Sequence, residues 1–388
     1  MMKVNQIYTL VNDAASEALG KSAITAKDTG SFVSLGNVVF SSTANTEQFY
    51  KSLVDRIGKT VIAIRKFKGK KRSVKRDDLA WGIMYQKISF KTKTAVENAS
   101  WNTEGGQVNP FDINRSTEVV QKLFSVMGTW SYEDNFPLYQ LFTAFTNEAA
   151  MGAFISGIST NIENSLTIAE DALANLAVST NIAGVLISGK TVQKRNLLKE
   201  YNTLNGSDLK ASNCLYDASF LKYASYQIND TVKNIMNASD AFNPEGIARQ
   251  TFGEDLVVEV LGKYSAATAS YLESDTYHKE LVALPRYEEV SYWQAPGTNF
   301  DFADVSKIDI VNANLKTVGN ETGTIAQSGI IAFIHDIDSC ASIVTRFRDY
   351  SYPNNRDESM NIIKKADKGY MVDLSENAVV FYVADAAA

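Results

Sequence analysis

The chain has 388 residues, 45% of them hydrophobic and 21% charged, and a formal net charge of −6. That length exceeds one compact core and implies two or three lobes or long excursions, while the composition excludes disordered and fibrous classes. With two cysteines, Cys214 and Cys340, the chain has no disulfide framework and points to a reducing compartment.

The opening residues, MMKVNQIYTLVNDAASEALG, lack a basic region followed by an apolar core, so no secretory signal is expected. No run approaches the ~18 apolar residues of a membrane span, and a soluble protein of cytosolic origin is the expectation. Asn98-Ala99-Ser100 then has no meaning as a glycosylation site. The first 45 residues suggest a short helix and then an extended apolar piece at Phe32 to Phe40. Thr46 is a candidate N-cap for a helix in which Phe49, Leu53 and Ile57 align at steps of four, ended by Gly58. Val61 to Ile64 enters a strand.

A basic run follows. Between Arg65 and Arg76 eight of twelve residues are cationic (Arg65, Lys66, Lys68, Lys70, Lys71, Arg72, Lys75 and Arg76), which leaves about −14 on the rest. An acidic chain with one basic spike does not coat nucleic acid over its whole surface. The run reads as a solvated loop, as a contact to an acidic partner or a neighbouring copy, or as a nucleic-acid contact. Against the last stands a single interleaved aromatic, Phe67.

Trp81 to Lys93 contains an alternating strand, with Tyr85, Lys87, Ser89 and Lys91 on one side and Gln86, Ile88 and Phe90 on the other. Gly105-Gly106 and Asn109-Pro110 mark turns. From Pro137 to Thr180 the chain passes through aromatics and small residues into a clean helical period, Ile162, Leu166, Ala169, Leu173 and Leu176. A helix from Phe154 to Val178 spans roughly 35 Å at ~1.5 Å per residue. Its single apolar face wants a broad sheet beneath it.

Four segments carry a resemblance: FYKSLVDRIGKTVI (Phe49 to Ile62), FTAFTNEAAMGAFISGISTNIENSL (Phe142 to Leu166), DAFNPEGIARQTFGEDLVVEV (Asp240 to Val260) and SENAVVFYVAD (Ser375 to Asp385). In this order they resemble the major capsid proteins of small short-tailed bacteriophages (Picovirinae), less so between Lys263 and Gln327. The resemblance implies the Hong Kong 97-type capsid fold, of α+β class. It implies an N-terminal arm over 1–58, and an extended β-hairpin loop with flanking peripheral strands over 59–135. It further implies a peripheral domain with a spine helix over 136–194, an axial domain over 195–330, and C-terminal strands over 331–388 returning through both domains. A polar hairpin cannot build its own core and needs a cover, which a neighbouring subunit supplies.

Other motifs tempt toward chemistry. Gly184-Val-Leu-Ile-Ser-Gly189-Lys190-Thr191 matches the phosphate-cradling pattern, with Asp336 as a conceivable magnesium carboxylate. The mechanism needs strand, loop, then helix, yet the upstream residues read as helix and Val-Leu-Ile suits a pleated strand. A chance match in a strand-turn is expected. His335 to Asp338 resembles a metal cluster but follows an apolar strand where turn residues belong, and His278 is the only other histidine. No motif pairs Cys214 or Cys340 with a histidine, and Asp77-Asp78 and Glu288-Glu289 read as solvated faces. No active site, metal or cofactor is expected.

The expected function is structural: a head protein that self-assembles into pentamers and hexamers of an icosahedral or prolate virion shell, built in the bacterial cytoplasm around double-stranded DNA. The resemblance implies a scaffolding protein, a portal and non-specifically contacted packaged DNA as partners, with no membrane. An encapsulin-type compartment shares the fold, and a P-loop nucleotide hydrolase is the rival from another class. Reversing Lys70, Lys71 and Arg72 to Glu is expected to block assembly and leave a soluble, folded monomer, as sedimentation would show.

Overall fold

The computed structural model describes residues 4–20, 25–42, 44–53, 72–76, 85–91, 111, 118–124, 127–137, 139, 148–271, 287–291, 293, 308–311 and 324–385. The first described elements are α1 (Val4–Leu19), α2 (Thr29–Val39), α3 (residues 44–53), β1 (Tyr85–Phe90), β2 (Val119–Phe124) and β3 (Met127–Pro137). Next come α4 (Glu148–Ser188), β4 (Lys194–Asn196), α5 (Leu197–Asn205), α6 (Ala218–Ile235), β5 (Leu256–Leu261) and α7 (Gly262–Tyr271). The remainder is strand: β6 (Glu288–Val290), β7 (Ile308–Val311), β8 (Thr324–Gln327), β9 (Ile330–Asp336), β10 (Cys340–Asn354), β11 (Ser359–Val372) and β12 (Ala378–Tyr382).

The chain divides into two compact units, one of Met1–Lys71, Met127–Asp171 and Ile343–Gly369, the other of Arg72–Val126, Ala172–Ser342 and Tyr370–Ala388. In the first unit Ile7, Val11 and Ala14 of α1, Phe32, Leu35 and Val39 of α2, and Phe49 and Leu53 of α3 are buried with Met360 and Ile362 of β11. Those apolar residues recur at steps of three and four, the period of a helix face. The sheet of this unit runs β10-β11-β3, with β11 antiparallel to β3. Asn12 bonds both backbone groups of Ala26, at 2.9 and 2.7 Å, which ties the end of the α1–α2 link to α1.

Two local expectations fail here. Phe32 to Phe40 is helical rather than extended, because Asp28 accepts from the Ser31 N–H at 2.8 Å in a capping box and starts α2. Thr46 does not cap α3. Ser42 accepts from the Asn45 N–H at 3.2 Å, and the Thr46 hydroxyl instead donates to the Val39 and Ser42 carbonyls inside the first turn. The expected end at Gly58, the strand at Val61 to Ile64 and the turns at 105–110 lie outside the described residues.

The second unit is built on a five-stranded sheet in the order β4-β12-β9-β5-β6. β9 pairs antiparallel with both β12 and β5, while β4 and β6 add parallel edges. β9 is buried along its whole length, which is why IIAFIHD reads as a nearly unbroken apolar run. Phe333, Val260 and Phe381 share one core with Phe220, Ile228 and Ile235 of α6 and with Val178, Ile182 and Val185 of α4.

α4 has 41 residues, about 60 Å at ~1.5 Å per residue, and extends beyond the expected Phe154 to Val178 at both ends. Its stretch Ile162–Ser188 matches a membrane span in length and composition alone, but 72% of the apolar window is buried inside the protein, the pattern of a core helix. Gly184, near its end, faces the Leu374 side chain; an added Cβ would lie 2.6 Å from Leu374 Cδ2. Overpacking that seat costs about 1–3 kcal/mol. Gly184→Val should therefore lower the melting temperature of the free subunit, measured by calorimetry.

Candidate assembly surface

β1 and β2 form a two-stranded antiparallel ribbon in which Lys87 pairs with Lys122, Ile88 with Gln121, Ser89 with Val120 and Phe90 with Val119. Paired residues point to the same side, so each face has a distinct chemistry. Ile88, Phe90 and Val119 lie on one face and are 54%, 66% and 53% exposed. Lys87, Ser89 and Lys122 lie on the other and turn into the second unit. The expected alternation is present, and its polarity is the inverse of an ordinary surface hairpin: the lysines turn inward, while Ile88, Phe90 and Val119 face outward beside Gln86 and Gln121.

The inward charges enter a socket. Asp373, whose side chain is fully buried, meets Lys122 at its Oδ1 and Lys87 at its Oδ2, both at 2.8 Å. Lys87 also pairs with Glu376, and Lys122 with Glu245. Arg249 lies 3.2 Å from Glu376 and donates to the Ser89 hydroxyl at 2.9 Å. Asp373 is held ready by its own loop: its Oδ1 accepts from the Ser375 N–H at 2.9 Å and the Ser375 hydroxyl at 2.8 Å. Burial alone would raise its pKa, but Lys122 and Lys87 outweigh that and hold it far below the usual carboxylate range. Burial, aided by Asp336, raises Glu376 against the pull of Lys87 and Arg249.

The described end of the basic run, 72–76, is also engaged within the chain. Arg72 forms two 2.7 Å hydrogen bonds with the buried Glu259 of β5 and also bonds Asn175 of α4. Ser73 donates its N–H to Glu288 at 2.9 Å, and Val74 is buried in the core. The Arg76 N–H donates to the Ser342 carbonyl at 3.0 Å, its side chain pairs with Asp338, and Lys75 bridges to Ser342. Burial opposes charge on both members of the central pair, yet Arg72 pulls Glu259 down and Glu259 raises Arg72. Glu288 therefore faces Ser73 and Arg72 rather than forming a solvated face. Arg65, Lys66, Lys68, Lys70 and Lys71 lie outside the described residues, as do His278 and Asp77-Asp78.

The motifs that suggested chemistry take other roles. The phosphate-loop match is not the strand-turn expected: Gly184 to Ser188 is the end of α4, and the Gly189 N–H closes back on the Val185 carbonyl at 2.7 Å. Its backbone donors are thus spent on the helix, and Lys190 donates to the Asp240 carbonyl at 2.6 Å. His335 is a core residue stacked on Phe333 with ring centroids 4.8 Å apart, its Nδ1 2.9 Å from the Ser339 hydroxyl. Asp336 accepts from Thr251 at 2.8 Å and Asp338 meets Arg76, so the acids of that turn are spent on side chains. Burial pushes the thiols up, Cys214 to about 11 and Cys340 to about 12, so both stay protonated near neutrality.

The family model described as Phi29-like phage major capsid protein matches residues 10–382. Among solved structures, a chain of the Staphylococcus phage Andhra capsid is 8% identical, with 83% of this chain and 86% of that chain covered and a TM-score of 0.51. A chain in the structure of head fibre and inner core protein gp22 of native bacteriophage P68 is 10% identical, with coverages of 77% and 80% and a TM-score of 0.50. The curated proteins contain no match to this chain. The fold is the Hong Kong 97-type phage capsid fold, of α+β class.

Removing one partner from a buried ion pair strands the other, at about 3–5 kcal/mol. Arg72→Ala should therefore lower the unfolding free energy extracted from a urea titration by about 3–5 kcal/mol. A carboxylate with a depressed folded pKa stabilises above its unfolded value, ~3.9 for Asp, and loses that contribution as pH falls through the folded value. For Asp373 the loss falls below the ordinary range. The share of β1–β2 amide protection that depends on Asp373, read as the difference between wild type and Asp373→Asn, should hold from pH 7 down to about 4.

Proposed function

The chain belongs to the Phi29-like phage major capsid proteins, and from that premise we propose how it builds its shell. It resides in the virion capsid, which is assembled from many copies. The copies close into pentamers and hexamers through head-to-tail contacts, and these tile an icosahedral or prolate shell around double-stranded DNA. The role is wholly structural, with no catalytic step. Family membership disfavours the encapsulin alternative.

One observation carries the contact: the outward face of the ribbon presents three exposed large apolar side chains, Ile88, Phe90 and Val119, between Gln86 and Gln121, with Phe90 66% exposed. Such a face, on strands whose polar side is already buried, is covered by a neighbouring copy. Burying each of these side chains contributes roughly 1.5–3 kcal/mol, repeated at every contact of the shell. The segment from Arg65 to Lys71 adds a second contact, to acidic surface on a neighbour or on a scaffolding protein. Arg72 is left out because it meets Glu259 within its own chain. In this reading 59–135 is the extended loop, 136–194 contains the spine helix and 195–330 is the axial domain, with portal and packaged DNA as further partners.

Negative-stain microscopy of the protein, alone and with a candidate scaffold, should show shells, tubes or rings. Monomers under both conditions would overturn the reading. Ile88→Asp with Phe90→Asp should leave a folded monomer that no longer assembles. Lys70→Glu with Lys71→Glu, sparing Arg72, should do the same; normal shells from that variant would remove the basic segment from the interface.

A further inference from the structure

Lys87 and Lys122 are direct cross-strand partners. Like charges placed opposite one another destabilise a strand pair, and a two-stranded ribbon is marginal in water even without that burden. This ribbon is therefore a poor candidate to fold by itself. What offsets the repulsion is one carboxylate that takes one lysine on each oxygen, both at 2.8 Å.

We infer that Asp373 makes the order of the ribbon conditional on docking: β1 and β2 pair stably only while both lysines grip that carboxylate. Asp373 acts here as a positioning residue. It is pre-set by Ser375 on one side, and its N–H donates to the Ser339 carbonyl at 2.7 Å. Leu374, the next residue, is seated against Gly184 of α4. These contacts hold Asp373 from the side away from the ribbon.

The surrounding charges fit that role. Glu376 and Arg249 brace the Lys87 side, Glu245 braces the Lys122 side, and Asp336 acts on Glu376 from β9. Three cations (Lys87, Lys122, Arg249) meet three carboxylates (Asp373, Glu376, Glu245), so the docked cluster is neutral apart from Asp336. A lifted ribbon strips Asp373 of both its cations and leaves the two lysines facing each other with no carboxylate between them. Docking and strand pairing are thereby one event. Whether the outer face then meets a neighbour rests on the function proposed above; the order of the ribbon does not.

The test is hydrogen exchange on the free full-length subunit, with β9 as internal control. Asp373→Asn keeps the shape and the Ser375 bonds but removes the charge, and should lower protection of Tyr85–Phe90 and Val119–Phe124 at least tenfold. Adding Lys122→Gln removes the repulsion, and should restore at least a third of the lost protection. Unchanged ribbon protection in Asp373→Asn would overturn the inference. If that variant also loosens β9, the double variant decides: recovery on adding Lys122→Gln supports the conditional pairing, and no recovery rejects it.

Discussion

Leu374 rests against the bare Cα of Gly184, a contact that seats the loop carrying Asp373 and Glu376 on α4. The seat is possible only because the last turns of α4 carry no side chain there. It places the short loop between β11 and β12, and with it Asp373 and Glu376, at a set distance from the helix. The two carboxylates then determine where Lys87 and Lys122 go. A steric vacancy thus sets an electrostatic geometry, which in turn sets the attitude of a ribbon.

A second buried ion pair holds the chain just before that ribbon. Arg72, Ser73 and Val74 are fastened to Glu259, Glu288 and the core. Neither this pair nor the Asp373 cluster is an economical way to gain stability, since apolar residues of like volume often do as well. What charge pairs add is directional specificity: each accepts only a partner of the right sign at the right place. A two-stranded ribbon needs such markers, because its own strands cannot supply a core.

The inverted polarity of the ribbon follows from the same logic. With its polar side committed inward, its apolar residues have nowhere to go within the described subunit. If the proposed contact holds, electrostatics positions the ribbon from its inner face and apolar area on its outer face meets the next copy.

Periodicity and composition alone established a good deal. The period of Ile162 to Leu176 marks α4, the alternation in Tyr85 to Phe90 marks β1, and the apolar run before His335 marks a strand, because each reflects burial along one contiguous segment. The family was legible for the same reason, through patches of local pattern. Other features were decided by tertiary structure. Arg72 reads as one charge in a solvated run, and only the position of Glu259, 187 residues away, buries it. Phe32 to Phe40 reads as extended because the side chain of Asp28 decides its first turn. The phosphate-loop match is dissolved by a helix that runs on to Ser188. Lys122 and Asp373 stand 251 residues apart. A charge pair leaves no periodic trace in either segment, so the fold had to bring the two together before the ribbon's inner and outer faces could be told apart.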